Sequence, residues 1–213
     1  MFALYTYFRS SAAYRVRIGL HLKGLSFESI PIHLLRDGGQ QHSEAYKTVN
    51  AAGLVPTFQD GDLTLHQSLA ILEYLDETHP QSPFLPGNAA QRAFIRSLAL
   101  DIACEIHPLN NLRVLKQLAS QFQADDTIKR AWINHWVSEG FTAFERRIKG
   151  SAGWCCVGDE PTLADIVLVP QVFNAERFDV DLKLYPTIQK VVAHCRAIEA
   201  FQLSEPSKQP DAE

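Results

Sequence analysis

A proline-rich stretch at residues 78–88 divides this 213-residue chain into two parts with different patterns. Three prolines and a glycine fall within it, which is typical of a linker. Before the stretch, strand-like runs alternate with helical patterns, and after it the patterns are helical throughout. The sequence therefore predicts an α/β domain over 1–82, a linker over 83–88 and an all-helical domain over 89–213.

The first part has the element order of a thioredoxin-like domain. A strand over 2–8, a helix over about 11–23 and a second strand from residue 27 form a β-α-β unit. An Asp-Gly turn at 60–61 lies between two short apolar runs and predicts a β-hairpin, which an amphipathic helix follows. This order, β-α-β and then β-β-α, predicts a small α/β domain.

The second part shows helical periodicity and a polar end. We predict helices over 89–121 with a kink near Pro108, over 125–148, after Thr162 and over about 186–200. The run Thr162-Leu-Ala-Asp165 is close to the capping-box pattern that starts a helix. Residues 204–213 are polar with two prolines, and we expect this tail to fray.

Charge and hydropathy exclude several classes of partner. The net charge of −4 gives no broad basic field, so nucleic acid and anionic membranes are poor candidate partners. No apolar run approaches the roughly 18–20 residues that span a bilayer. Arginines at 9, 15 and 17 interrupt the N-terminal region, which therefore does not read as a signal peptide.

Cysteine and histidine usage predicts a cytoplasmic protein without a metal site. None of the four cysteines forms a C-x-x-C pair, and the adjacent pair at 155–156 is a poor disulfide, so reduced thiols are expected. The eight histidines show neither an H-E-x-x-H spacing nor a Cys/His cluster, and we predict that no metal is bound.

Two adjacent hydroxyls, Ser10 and Ser11, fall where the first strand ends and the first helix begins. The first turn of a helix has unpaired N–H groups and a partial positive charge, so it favours anions. A serine at this position either caps the helix or donates its O–H to a bound thiolate. The residues alone leave both interpretations open.

Six motifs in order along the chain carry a family resemblance. They are Arg9-Ser-Ser-Ala-Ala-Tyr-Arg-Val-Arg-Ile, Asp37-Gly-Gly-Gln-Gln, Leu54-Val-Pro-Thr, His66-Gln-Ser-Leu-Ala-Ile, Val157-Gly-Asp-Glu-Pro-Thr-Leu-Ala-Asp and Asn174-Ala-Glu-Arg-Phe-Asp-Val-Asp-Leu. Together they resemble the zeta class of glutathione transferases over nearly the whole chain. The resemblance implies an α/β plus all-α fold, with a thioredoxin-like domain followed by a helical domain that contributes the substrate pocket. It also implies a homodimer.

The same resemblance implies an activity and a cofactor. The expected reaction is the isomerisation of maleylacetoacetate to fumarylacetoacetate in tyrosine and phenylalanine breakdown, with glutathione as the cofactor. A thiolate that adds reversibly to the double bond allows rotation about it. The family cysteine after the two serines is Ala12 here, so no covalent role falls to that position.

Ionising the glutathione thiol near neutral pH is the task assigned to Ser10, with Ser11 as a second catalytic candidate. Lowering a thiol pKa from about 8.5 by two units requires roughly 2.7 kcal/mol. One charge-assisted hydrogen bond supplies roughly 1.5–3 kcal/mol, and a helix N-terminus adds up to about 1 kcal/mol. The Ser10 hydroxyl together with the start of the first helix is therefore sufficient. The other interpretations of Ser11 are that it forms a hydrogen bond with the backbone or that it caps the helix.

The remaining site residues follow from the shape and charge of the two ligands. For glutathione the candidates besides Ser10 are Val55, Pro56, Gln67, Ser68, Gln40, Gln41 and Asn111. The family resemblance implies that the bond between Val55 and Pro56 is cis. The substrate is a dicarboxylate, which the planar fork of arginine suits. Its candidates are Arg177, our first choice, with Arg9, Arg113 and His107.

Three alternatives to this function differ in chemistry. A maleylpyruvate isomerase of gentisate breakdown is favoured by Ala12, because those related enzymes also lack the cysteine. A glutathione transferase or dehalogenase of α-haloacids would consume glutathione or release halide. A binding module without activity is the third, because fold does not fix function.

Overall fold

The computed structural model describes all 213 residues and divides them into two compact units. Residues 1–84 and 197–213 form the N-terminal unit, and residues 85–196 form the helical unit. No helix combines the length and the apolar character needed to cross a membrane.

The N-terminal unit is built on one mixed four-stranded sheet. Its strands are β1 (Phe2–Thr6), β2 (Phe27–Pro31), β3 (Thr57–Asp60) and β4 (Leu63–His66), in the order β2-β1-β3-β4. β1 is parallel to β2 and antiparallel to β3, and β4 is antiparallel to β3. The Asp-Gly turn forms the predicted hairpin between β3 and β4.

The helices of this unit complete the predicted thioredoxin-like order. They are α1 (Ser11–Leu22), α2 (Glu44–Val49), α3 (Ser68–Thr78) and, far along the chain, α9 (Glu199–Ser204). α1 packs against both α3 and α9. β1 ends earlier than the predicted residue 8, because the chain turns there and the Ser10 N–H donates to the Tyr7 carbonyl at 2.9 Å.

The helical unit contains the remaining helices. They are α4 (Ala89–Leu100), α5 (Leu112–Phe122), α6 (Asp126–Ile148), α7 (Leu163–Arg177) and α8 (Pro186–Ala197), whose last residue groups with the N-terminal unit. The predicted interruption near Pro108 is confirmed, but it divides residues 89–121 into two helices and does not merely kink one. A π-helical turn (Asp101–Ile106) and a 3-10 turn (His107–Asn110) separate α4 from α5, because Pro108 lacks the N–H that an α-helix needs.

Two further predictions concern the C-terminal third. The helix start after Thr162 is confirmed, since Thr162 and Asp165 form a complete capping box. The single helix over 186–200 was wrong, because the chain takes an extended conformation at Ile198 and begins α9 afterwards.

The polar tail does not fray. The Phe8 N–H donates to the Asp211 carboxylate at 2.9 Å, and Arg17 Nε donates to the Ser204 carbonyl at 3.2 Å. Polar groups of the tail therefore pair with buried groups of the N-terminal unit, and this explains why residues 197–213 group there and not with the helical residues that precede them.

Candidate functional site

Ser10 is the N-cap of α1. Its Oγ accepts a hydrogen bond from the Ala13 N–H at 3.2 Å, and the side chain is half-buried. Because this bond uses an oxygen lone pair, the hydroxyl hydrogen can still be donated to a ligand. The two interpretations of Ser10 are thus compatible. The alternative that Ser11 caps the helix was wrong, since Ser11 is the buried first residue of α1.

The turn before Ser10 is held by a buried arginine. The Arg17 guanidinium is fully buried and donates to the carbonyls of Tyr7 at 3.4 Å and Phe8 at 3.0 Å. Burial lowers the pKa of Arg17 to about 10, with Tyr14 and Asp211 acting in the opposite direction. Arg17 therefore stays charged at neutral pH and fixes the backbone that leads to Ser10.

A second turn presents the backbone of Val55. The Val55–Pro56 peptide bond is cis, as the resemblance implies. The Leu54 carbonyl accepts hydrogen bonds from the Tyr46 hydroxyl at 2.7 Å and from Asn50 Nδ2 at 2.8 Å. The side chains of α2 and its C-cap thus hold this turn, in which Val55 is half-buried.

The start of α3 is open. Gln67 is its N-cap residue, is exposed and has φ +71°, yet it makes no side-chain capping hydrogen bond. A residue other than glycine in such a conformation costs about 1–3 kcal/mol, and such strain is concentrated at functional sites. The first-turn N–H groups of α3 are left without a side-chain cap, which makes this helix start suitable for an anion.

A buried arginine adds positive charge at the same place. Arg15 is 2% exposed, and its Nη1 donates to Ser68 Oγ at 3.3 Å. Sequence reasoning missed the roles of Arg15 and Arg17 because it considered both only as charges that argue against a signal peptide. The available signal was the spacing itself, since side chains two apart on a helix project from different faces and cannot both lie on one solvated stripe.

The two candidate glutamines differ in accessibility. Gln40 is half-buried, and its Oε1 accepts from the His33 N–H at 2.9 Å, so its amide group remains a possible donor to a ligand. Gln41 is 5% exposed, and its Nε2 donates to the Leu34 carbonyl at 3.4 Å. Gln40 is therefore the more suitable of the two for a ligand.

Three candidates lie on the helical unit near turns. Asn111 is the N-cap of α5, where its Oδ1 accepts from the Arg113 N–H at 3.1 Å. Arg113 is exposed in the first turn of α5, and half-buried His107 begins the 3-10 turn before it.

The arginine candidates Arg177 and Arg9 both stack on the aromatic ring of a chain neighbour. Arg177 is exposed at the end of α7, with its guanidinium 5.5 Å from the ring centre of Phe178. Arg9 is half-buried, and its guanidinium lies 4.7 Å from the ring centre of Phe8.

A cavity of about 290 Å³ lies between α5, α6 and the end of α7. Its apolar lining includes Leu112, Leu115, Ile133 and Phe178. Arg113 and Arg177 directly neighbour two of these lining residues in the sequence. Charged side chains line the cavity as well, namely Lys116, Asp126, Lys129 and Arg130, whereas Arg113 and Arg177 are not among its lining residues.

One buried cluster resembles a metal site in composition. Ligand atoms of Cys155, Asp165 and Cys195 lie within 4.8 Å of one another. The Asp165 carboxylate, however, already accepts from the N–H groups of Cys156 and Thr162 at 2.7 and 2.8 Å. The pKa of the Cys195 thiol is raised, first by its hydrogen bond with Cys155 and then by burial. The cluster therefore has a structural role in the cap of α7, and the absence of a bound metal stays a prediction.

Comparisons with known proteins agree with this geometry. The family model for the glutathione S-transferase N-terminal domain matches residues 4–83, and the model for the C-terminal domain matches residues 136–199. The chain is 49% identical to a Vibrio cholerae protein named probable maleylacetoacetate isomerase, over 98% of this chain and 97% of that protein.

Two solved structures extend the match to three dimensions. The holo structure of a bacterial maleyl pyruvate isomerase of the zeta class has a TM-score of 0.96 and 41% identity, and the match covers 99% of this chain and 100% of that one. A maleylacetoacetate isomerase from Anaeromyxobacter dehalogenans, with glutathione in its active site, has a TM-score of 0.89 and 39% identity, with coverage of 100% and 98%. The chain therefore belongs to the glutathione S-transferase family, and within it to the zeta class.

Proposed function

We propose that this protein is a glutathione-dependent cis-trans isomerase that converts maleylacetoacetate to fumarylacetoacetate in tyrosine and phenylalanine breakdown. The observation that carries the proposal is the position of Ser10, a half-buried hydroxyl at the start of α1 whose hydrogen can be donated to a thiolate. Relatives named for this reaction, one of them with bound glutathione, support it.

The residues of the N-terminal unit fit glutathione. The open start of α3, with Gln67, Ser68 and nearby Arg15, suits the γ-glutamyl carboxylate. The backbone of Val55, turned by the cis bond to Pro56, suits the peptide-like cysteinyl part. The N-terminal unit therefore offers a complementary group to the γ-glutamyl carboxylate and another to the cysteinyl backbone of glutathione.

The glycyl end and one further contact complete the proposed binding set. The amide of Gln40 suits the glycyl end, with Gln41 behind it as the alternative. Asn111 is a further proposed ligand of glutathione.

The protein contributes two groups to the proposed reaction: the Ser10 hydroxyl as a hydrogen-bond donor, and the partial positive charge at the start of α1. Bound glutathione supplies a thiolate that adds reversibly to the cis double bond and so permits rotation. Ser10 donates its hydroxyl hydrogen to the sulfur, and the start of α1 adds its partial positive charge. Together these interactions keep the thiol ionised near neutral pH. Ser11, which is buried in the first turn of α1, is the second residue proposed to stabilise the thiolate.

The dicarboxylate substrate requires cationic partners. We assign this role to Arg177 first, and then to Arg9, Arg113 and His107. Arginine binds carboxylates through two parallel hydrogen bonds, so each of the three arginines can orient one end of the substrate, and the His107 ring can add a single hydrogen bond. The cavity between α5, α6 and the end of α7, whose lining is partly apolar and partly charged, offers space for the carbon chain.

We also propose that the protein works as a cytoplasmic homodimer. Its four cysteines are free, which fits a reducing compartment. Closed two-fold assemblies are the commonest among soluble oligomers. Light scattering after gel filtration tests the assembly, and a mass of twice the 23.9 kDa chain is expected.

An ultraviolet assay of purified protein on maleylacetoacetate and maleylpyruvate, each with and without glutathione, tests the activity. Glutathione-dependent turnover with a higher kcat/KM on maleylacetoacetate is the expected result. Preference for maleylpyruvate would assign the protein to gentisate breakdown, in line with Ala12. Glutathione binding without turnover on either acid would contradict the proposed activity.

A further inference from the structure

The tail lies against the turn that carries Ser10. We call residues 204–213 the C-terminal strap. The Asp211 carboxylate of the strap accepts a hydrogen bond from the Phe8 N–H at 2.9 Å, across 203 positions of sequence. Phe8 lies two residues before Ser10, so the contact is made on the same turn.

Arg17 holds the same peptide segment from its other side. Its Nη2 donates to the Phe8 carbonyl at 3.0 Å, and its Nε donates to the Ser204 carbonyl of the strap at 3.2 Å. Phe8 is therefore held at its N–H by Asp211 and at its carbonyl by Arg17. Since Arg17 also contacts the strap, the three groups form one connected network.

The second oxygen of the Asp211 carboxylate is buried without a hydrogen-bond partner. Such an oxygen is costly to bury, and an exception of this kind requires a physical reason. The charge of Asp211 favours the protonated form of buried Arg17. The attraction of Asp211 to Arg17 and its hydrogen bond with the Phe8 N–H therefore offset the cost of burying its unpaired oxygen.

The end of the strap reaches a second proposed glutathione-binding loop. Glu213 lies 3.2 Å from His33 Nε2 and forms an ion pair with Arg36. The His33 N–H in turn donates to Gln40 Oε1 at 2.9 Å. The strap therefore contacts both the Ser10 turn and the loop that carries Gln40.

We propose that Asp211 is a positioning residue of the isomerase: it fixes the turn at residues 7–10 so that the Ser10 hydroxyl stays directed at the sulfur of glutathione. This inference rests on the proposed role of Ser10. In the proposed binding set, the γ-glutamyl and cysteinyl parts of glutathione are held at the start of α3 and at Val55, which are distant from this turn in sequence. Loss of Asp211 therefore lowers kcat and leaves glutathione affinity and KM for the diacid nearly unchanged.

Three variants test the proposal. Asp211→Ala removes the acceptor for the Phe8 N–H, Asp211→Asn keeps a side-chain oxygen that can accept it, and Lys208→Ala changes an exposed side chain of the same strap. Each is assayed by hydrogen exchange of the segment at 7–12, by calorimetry with glutathione alone, and by steady-state kinetics.

For Asp211→Ala we expect the hydrogen-exchange rate of the 7–10 turn to rise about tenfold and kcat to fall about tenfold. A change of this size corresponds to the loss of one hydrogen bond to a charged group. The glutathione Kd and the KM should change less than about threefold. Asp211→Asn should restore kcat to within about threefold of wild type, since the hydrogen bond is retained. Lys208→Ala should match wild type in every measurement.

A folded Asp211→Ala protein with wild-type exchange and wild-type kcat would overturn the proposal. So would equal losses in kcat, KM and glutathione Kd, which would indicate a general structural role. If Asp211→Ala does not fold, Asp211→Asn decides through the Phe8 amide and kcat together. Retention of both, or loss of both with KM and glutathione Kd unchanged, supports the inference, and an unprotected Phe8 amide with wild-type kcat contradicts it. Exchange and calorimetry need no turnover, so they test the strap even if the isomerase activity fails.

Discussion

Helices α3 and α7 begin in opposite ways. At α7, the Asp165 carboxylate accepts from the Thr162 N–H at 2.8 Å and the Cys156 N–H at 2.7 Å, and both Asp165 and Thr162 are buried. At α3, the N-cap residue Gln67 is exposed, has a positive φ and makes no side-chain capping bond.

This difference distinguishes a helix start that stabilises the fold, at α7, from a helix start that is suited to bind a ligand, at α3. Every helix begins with N–H groups that lack partners within the helix. The capping box of α7 satisfies such groups from within the fold, whereas α3 leaves them for a ligand and accepts backbone strain as well. Changes at α7 should therefore affect stability, and changes at α3 should affect binding.

The largest expected effect is the loss of stability in Asp165→Ala. This change removes a helix cap and leaves two buried N–H donors without an acceptor, for a cost of roughly 4 kcal/mol in the free energy of unfolding. Urea denaturation followed by circular dichroism measures it. Asp126→Ala, at an exposed acid in the first turn of α6, is the control and should cost less than about 0.5 kcal/mol. A loss below about 1 kcal/mol for Asp165→Ala would remove the contrast between the helix starts.

Gln67→Gly should act in the opposite direction on stability. Glycine adopts positive φ without strain, so the free energy of unfolding should rise by roughly 0.5–1 kcal/mol. The glutathione Kd should rise about tenfold, because a binding side chain is lost at the start of α3. Calorimetry and urea denaturation measure the two effects.

The matched control for Gln67 is Gln123, which has φ +54° at the C-cap of α5. Gln123→Gly should give a similar gain in stability with an unchanged glutathione Kd. Equal binding losses in the two variants would show that the strain at Gln67 has no special relation to the ligand.

Ser68→Ala should have the smallest effect of the three. Its hydroxyl accepts from Arg15 but does not cap α3, so the glutathione Kd should rise only about threefold. Ser120→Ala, at an exposed serine of α5, serves as the control. A Kd unchanged from wild type would move the carboxylate contact entirely to the backbone N–H groups of α3.

Features set by neighbouring residues were predictable from the sequence. The element order of the N-terminal unit, the hairpin at 60–61 and the capping box after Thr162 each depend on a few adjacent residues. The placement of Ser10 at a helix start was predictable for the same reason, although its cap and its proposed donor role could not be separated.

Features that join distant parts of the chain were not predictable. Arg17 and Ser204 are 187 positions apart, and nothing local to either residue indicates their contact. The same limit explains the burial of Arg15 and the wrong expectation that the tail frays. The strain at Gln67 is also hidden in the sequence, because nothing in the neighbouring residues indicates a positive φ for a glutamine.

The central claim is that Ser10 keeps the thiol of bound glutathione ionised, and the ultraviolet absorbance of the thiolate measures this directly as pH is varied. In wild type, the pKa of bound glutathione should lie roughly two units below the ordinary value of about 8.5. In Ser10→Ala it should rise by about one to two units, with kcat strongly lowered and the glutathione Kd little changed. The same thiol pKa and the same kcat in both proteins would contradict the account.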